Sequence, residues 1–300
     1  MVKDRYPIMS LSAAASAGFV AGHFPVSPCD VGGEETGTYQ TPPSFIHYVG
    51  TPDWENQASG CVLLHGGSGD WRHFCINLKP LSAHIPIVAP DLPGFGLSGA
   101  ASGEDLAAIV DPLAAFLRSV PWRDITLVGF SFGALAAAAA AVKRPPSRLL
   151  LISPAGFGAH TAEMASAREA AAQAAKLEGT RAGLAVNLKR TMLRRDYSLG
   201  SEHLLDTMEE MLRSTRAKVR RFSRSELILD RLRMLDCPVR VLFGEADPYH
   251  ASALDHRYAG IAAACSGAEI TTVADAAHWL MFDRPDAFEE TLLEFARRDV

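Results

Sequence analysis

Between Ile125 and Val142 an apolar run (Ile125, Leu127, Val128) passes through Gly129-Phe130-Ser131-Phe132-Gly133 into an alanine-rich helical stretch. Few arrangements suit such a passage. A turn this abrupt between a buried strand and a helix forces its central residue into a strained conformation, and flanking positions tolerate little beyond glycine. The strain lifts the Ser131 hydroxyl out of the sheet, beside the N-terminus of the following helix, where a developing negative charge is stabilised. The pattern predicts a nucleophilic serine at 131. A glycine-lubricated packing turn with an incidental serine is the structural alternative.

A serine hydroxyl attacks only when a base takes its proton and a third group holds that base. Ten histidines are present, so context must select one. His278 stands in Asp275-Ala276-Ala277-His278-Trp279, after the apolar run Ile270 to Val273. Asp247 stands in Gly244-Glu245-Ala246-Asp247-Pro248, just past the run that begins at Val239. The order Ser131, Asp247, His278 puts all three at the carboxyl ends of predicted strands, where open parallel sheets carry their sites. Glu245 is the competing acid, with a structural or pocket role as its other reading.

The oxyanion donors are expected on an earlier strand-end loop. Cys61 to Leu64 reads as a strand, and His65-Gly66-Gly67-Ser68-Gly69 follows at once. Side-chain-free residues let a backbone approach a substrate and aim amides at it. The amides of Phe132 and Gly67 are the predicted pair, with Gly66 as the fallback and His65 orienting or packing the loop. A phosphate-cradling loop is the rival, but no Gly-Lys-Ser/Thr follows and no Gly-x-Gly-x-x-Gly opens a helix. Ser68, Trp71, Phe130 and Trp279 sit beside this chemistry and are expected to line an apolar substrate pocket.

Taken together, His65-Gly66-Gly67, Asp91-Leu92-Pro93-Gly94-Phe95-Gly96-x-Ser98, the turn at 129–133, Gly244-x-x-Asp247 and His278-Trp279 resemble the α/β-hydrolase superfamily with a helical cap. The resemblance runs from about residue 45 to the C-terminus and is greatest to small carboxylesterases and to hydrolases of carbon–carbon bonds in ring-fission products. It implies a serine hydrolase of a carboxylic ester or related acyl bond in a small, largely apolar substrate. Carbon–carbon bond hydrolysis is the alternative. A non-hydrolytic ligand sensor, or a cofactor-free lyase or oxygenase on the same scaffold, also stays open. Two features depart from the carbon–carbon hydrolases: Phe130 stands where they usually carry asparagine, and the oxyanion loop is shorter. Ser131 argues against the dehalogenases and epoxide hydrolases of similar outline, which attack with aspartate.

Alternating apolar strands and helical stripes imply an α/β architecture, a doubly wound and mostly parallel sheet. Strands are expected at Phe45 to Val49, Val62 to Leu64, Ile85 to Ala89, Ile125 to Val128, Leu149 to Ile152, Val239 to Phe243 and Ile270 to Val273. A stripe from Leu106 to Leu117 reads as a helix capped by Ser102 and bent at Pro112. Residues 156–236 break the alternation, with an alanine-rich helix ended by Gly179 and a stripe from Leu204 to Leu212. The expected organisation is an N-terminal arm over residues 1–44, a core of 45–155 and 237–300, and a helical cap of 156–236.

The cap segment carries 15 Lys and Arg against 11 Asp and Glu, whereas the rest of the chain carries 14 against 23. A basic lid over an acidic core suits an anionic substrate anchored by Arg194, Arg195, Arg216, Arg220 or Arg221; a solvated helix face is the plainer reading. The net charge of −5 gives no support for nucleic-acid binding, and no apolar run approaches the roughly 20 residues that span a bilayer. Five scattered cysteines (Cys29, Cys61, Cys75, Cys237, Cys265) form neither a Cys-x-x-Cys pair nor a metal-ligand spacing. These observations point to a cytoplasmic enzyme without metal or cofactor, acting on a small molecule, with a homo-oligomer left open. The small-residue stretch Ile8 to Gly22 after Lys3 and Arg5 has an alternative reading as a secretory signal.

Overall fold

The computed structural model describes residues 10–26, 45–194 and 201–298. Strands β1 (Val20–Pro25), β2 (Phe45–Gly50), β3 (Ser59–Leu64), β4 (Ile87–Pro90), β5 (Asp124–Phe130), β6 (Arg148–Ile152), β7 (Val239–Gly244) and β8 (Glu269–Val273) form one sheet. Their spatial order is β1-β2-β4-β3-β5-β6-β7-β8. Pairing is antiparallel from β1 to β4 and parallel from β4 to β8. The order turns back on itself between β3 and β5, which opens a crevice at the carboxyl ends of those strands. All the loops that carry the sequence-predicted site leave the sheet on this edge.

Helices cover both faces, as the doubly wound reading expects. Alternation along β3 sends Val62 and Leu64 to one core cluster and Cys61 and Leu63 to the other. On the first face pack α1 (Ala107–Ser119), α2 (Phe132–Lys143) and α3 (Leu227–Leu232), with Leu113, Leu135 and Ile228 fully buried. Helix α2 presents Ala134 to Ala141 to the core on every side, so its axis lies close to the sheet. The opposite face is closed by α4 (Pro285–Ala296), through Phe288, Leu292 and Phe295.

Three local expectations need correction. The strand expected from Ile85 begins at Ile87, because Pro86 has no amide to donate and contributes only its carbonyl, to the Cys61 amide. Ser102 does not cap α1; Asp105 Oδ1 accepts from Ala108 N–H at 2.9 Å instead. Pro112 lies within α1, which runs from Ala107 to Ser119. Within the segment expected to be an arm, Val20–Pro25 adds an edge strand in register with β2, Val20 opposite Gly50. Its residues are largely exposed and the sequence Val-Ala-Gly-His-Phe-Pro carries no regular apolar–polar alternation, and Pro25 is tolerated only because the strand lies at the edge.

Between β6 and β7 the described chain is helical: α5 (Ala162–Glu178), α6 (Thr180–Asn187), a π-helical turn at Leu188–Met192, α7 (Ser201–Ser214) and α8 (Arg220–Ser223) precede α3. Thr161 caps α5 by accepting from Met164 N–H, and Gly179 ends it at φ 95°. The insertion is tied to the sheet. The Arg216 and Ala217 amides both donate to the Gly94 carbonyl, and the Trp279 amide donates to Met192 at 2.8 Å. Buried Asp283 accepts from both Arg194 and Ala277 amides through Oδ2, at 2.8 Å each. No helix among the described residues is long and apolar enough to cross a membrane.

Candidate active site

Ser131 ends the tight turn between β5 and α2 with φ 53° and ψ −116°, a region that costs a side-chain-bearing residue about 1–3 kcal/mol. The flanking glycines are sterically required. A Cβ on Gly129 would lie 2.5 Å from the Gly133 carbonyl oxygen, and one on Gly133 would lie 2.2 Å from the His65 carbonyl oxygen. The strain aims Ser131 Oγ at His278, whose Nε2 is 3.0 Å away. On the other side of the ring, His278 Nδ1 lies 2.8 Å from Asp247 Oδ2. A carboxylate only accepts, so Nδ1 carries the ring proton and Nε2 is free to receive that of serine.

Asp247 is completely buried and also accepts from Tyr249 N–H at 2.9 Å through Oδ1. Burial alone would raise its pKa. The adjacent His278, His250 and the Tyr249 amide outweigh that and hold it below the usual carboxylate range. Glu245, the competing acid, is exposed and accepts only a long bond from Asp275 N–H. No hydrogen bond or ion pair joins it to His278. His250 approaches Asp247 to 3.9 Å, and Asp247, His250 and His278 place ligand-type atoms within 4.8 Å of one another. Both Asp247 oxygens accept hydrogen bonds, Oδ2 from His278 and Oδ1 from the Tyr249 amide.

The glycine loop after β3 divides its amides between two tasks. Gly66 N–H donates to His73 Nδ1 at 3.1 Å and is therefore not the fallback oxyanion donor expected from sequence. Gly67 N–H and Phe132 N–H have no acceptor among the described residues. The latter opens α2, where the first amides have no intrahelical partner. His65 does hold the loop: its Nδ1 donates to the Gly66 carbonyl at 2.8 Å and its Nε2 accepts from Leu92 N–H at 2.9 Å. Burial lowers the pKa of His65, and burial next to His65 pushes His73 down to about 3. Both rings are neutral at ordinary pH.

A cavity of about 420 Å³ opens above Ser131 and His278. Gly67, Ser68, Phe130 and Phe132 line it from the sheet side. Met208, Leu212 and Leu184 line it from the helical insertion. Trp71 and Trp279, expected in the pocket, are core residues instead, 2% and 1% exposed. The Trp71 amide is spent on Asp91 Oδ1, and the Trp279 indole donates to the His73 carbonyl at 2.8 Å. An indole with its N–H satisfied inside the core has no reason to face solvent.

Of the candidate arginines among the described residues, only Arg220 lines the cavity. Arg216 donates to the carbonyls of Ser98, Gly96 and Ser214, and Arg221 reaches the Glu104 carbonyl while lying over Phe222. The Arg194 amide is held by Asp283; Arg195 and Cys29 lie outside the described residues. Sequence reasoning missed His73, His160, Arg168, Tyr249 and Arg257, all of which line the cavity. Tyr249 had a signal, two positions beyond Asp247 on the same loop. The arginines had none, since nothing local separates an inward arginine on a helix from a solvated one.

A model of the alpha/beta hydrolase family matches residues 61–291. Among curated proteins, the dihydrolipoyllysine-residue acetyltransferase component of an acetoin cleaving system from Cupriavidus necator is 36% identical over 104 residues, 34% of this chain and 28% of that protein. A 2-hydroxy-6-oxo-6-phenylhexa-2,4-dienoate hydrolase from Burkholderia cepacia is 29% identical over 111 residues, 34% of this chain and 39% of the relative. The chain thus aligns with well under half the length of either. Among solved structures, carboxylesterase CesB from Bacillus subtilis superposes with a TM-score of 0.69 at 17% identity, covering 96% of each chain, a likeness of fold. With the family match spanning most of its length, this chain belongs to the alpha/beta hydrolase family.

Proposed function

We propose that this protein is a serine hydrolase that cleaves a carboxylic ester, or a related acyl bond, of a small and largely apolar substrate. The observation that carries the reading is the continuous relay from Ser131 Oγ through His278 to buried Asp247. In this account Ser131 attacks the carbonyl carbon while His278 takes the serine proton, and the new oxyanion is held by the Phe132 and Gly67 amides. The tetrahedral adduct collapses as His278 returns its proton to the departing alcohol, leaving an acyl-serine. Water, deprotonated by the same imidazole, then attacks the acyl carbon. The acid leaves and the proton returns to Ser131. Asp247 stabilises the imidazolium formed in each half and fixes its tautomer.

The insertion at 156–236 acts as a cap over a core made of 45–155 and 237–300. Its Met208 and Leu212 face the cavity, and closure over the site excludes water and strengthens the oxyanion contacts. Phe130, 1% exposed, offers no polar group next to the nucleophile, which favours ester over carbon–carbon bond cleavage. The test is turnover of p-nitrophenyl butanoate. A burst of p-nitrophenol equal to the enzyme present, followed by slower steady release, supports the acyl-enzyme. Absence of turnover across short-chain aryl esters removes the esterase reading.

A further inference from the structure

One wall of the cavity carries positive charge with no acid in ion-pair contact among the described residues. Arg257 is 7% exposed, donates to the Phe157 carbonyl, and lies over the Phe157 ring with its guanidinium carbon 4.9 Å from the centroid. Its Nε–H is buried without a hydrogen-bond partner. Neither Arg257 nor Arg168 has a carboxylate within 4.0 Å among the described residues, and Glu226 acts on Arg257 only at longer range. The contrast with other arginines is sharp. Arg181 reaches Glu202, Asp206 and Glu209, and Arg240 bridges Glu269 and Glu294.

His160 extends the same wall. Its Nδ1 lies 3.2 Å from Arg168 Nη1. A guanidinium only donates, so Nδ1 accepts and the ring proton sits on Nε2. That Nε2–H is also buried and unpartnered. Burial first, and then the charges of Arg168, Arg224 and Arg257 together with His278, push His160 down to about 4, as expected where the local potential is positive. The group lies one aromatic ring from the base: the His160 and Tyr249 rings are 5.4 Å apart, and those of Tyr249 and His278 4.3 Å.

A buried cation with open donors is costly to keep unless something supplies the missing acceptor. We propose that this wall binds a carboxylate carried by the substrate itself, held by Arg257, Arg168 and His160 Nε2–H while the scissile carbonyl lies at Ser131. The proposal rests on the serine-hydrolase reading and adds the substrate class, a half-ester of a dicarboxylic acid. A planar carboxylate matches the guanidinium fork. The cavity of about 420 Å³ also has room for the short apolar link between the two ends.

The experiment compares monomethyl glutarate with dimethyl glutarate, by methanol release. The wild-type protein should prefer the half-ester in kcat/KM by about tenfold or more, and Arg257→Met or Arg168→Met should each reduce that ratio by about tenfold. Arg181→Met, whose acid partners lie outside the cavity, should leave the ratio as it is. A wild-type ratio near one overturns the proposal. So does an unchanged ratio in Arg257→Met and Arg168→Met proteins that melt close to wild type. If Arg257→Met fails to fold, Arg168→Met carries the comparison alone. If neither ester is hydrolysed, the esterase reading falls, and the carboxylate site is judged by calorimetric titration with glutarate. Binding to wild type that Arg168→Met abolishes upholds the site, and no binding to wild type overturns it.

Discussion

The Gly66 amide donates to His73 Nδ1 across 3.1 Å, so that the loop after β3 is pinned at Gly66 while Gly67 and Ser68 face the cavity. His73 is a positioning residue in this account. Replacing it with leucine strands a buried amide, at a cost of about 1–3 kcal/mol, which corresponds to a fall in Tm of roughly 2–4 °C per kcal/mol. The His73→Leu protein should also lose kcat more than it gains in KM, because the oxyanion donor drifts while leucine replaces only one of the many side chains that line the cavity. His73→Gln, which restores an acceptor, should recover part of kcat. Equal kcat in wild type and His73→Leu would detach this ring from the oxyanion loop.

Stability should collapse on mild acidification. Burial pushes His73 down to about 3 and His250 to about 4 in the folded protein, whereas an unfolded histidine titrates near ~6.5. Below that value the unfolded chain takes up protons that the folded chain refuses. Stability is therefore complete above about pH 6.5 and falls as the pH drops towards 4, by up to about 1.4 kcal/mol per unit for each such histidine. Asp247 adds to the loss lower down: its folded pKa is depressed, so its contribution fades as the pH falls through the carboxylate range. Thermal melts from pH 8 to pH 4 check this, and His250→Gln should flatten the slope. A Tm that holds steady from pH 7 to pH 4.5 would contradict the neutral, buried assignment.

Two neighbouring acids should behave very differently. Asp247→Asn should lower kcat roughly 10⁴-fold by favouring the wrong imidazole tautomer. Glu245→Gln should change it by less than about twofold, since an exposed acid that meets only one backbone amide at 3.4 Å has little to lose. Steady-state kinetics of both proteins on one activated ester decide the matter. A larger loss in Glu245→Gln would reassign the acid.

The legible parts of this chain are those in which local sequence forces local geometry. Ser131 could be placed because Gly129 and Gly133 leave no room for a side chain. Asp247 and His278 could be placed because each follows an apolar strand, and parallel strands deliver their loops to one edge. What depended on side-chain direction was not legible. Trp71 and Trp279 stand beside the site in sequence but point into the core. Gly66 and Gly67 are equivalent as letters, and only the position of His73 separates their tasks. β1 was hidden because an exposed edge strand needs no apolar alternation. Arg168 and Arg257 were hidden because their inward direction is set by helix packing, which no short motif records.

If Ser131 is the nucleophile, a fluorophosphonate should label it, and the label can be read as intact mass. A phosphonate can add to serine only where a neutral imidazole takes the proton and the oxyanion donors are in place. One adduct per wild-type chain is expected, mapped to the peptide containing Ser131, with p-nitrophenyl butanoate turnover lost in step. A folded Ser131→Ala protein should take no adduct and lose kcat by about 10⁶-fold. Stoichiometric labelling at another residue, or more than a few per cent of wild-type turnover in Ser131→Ala, would contradict the assignment of Ser131.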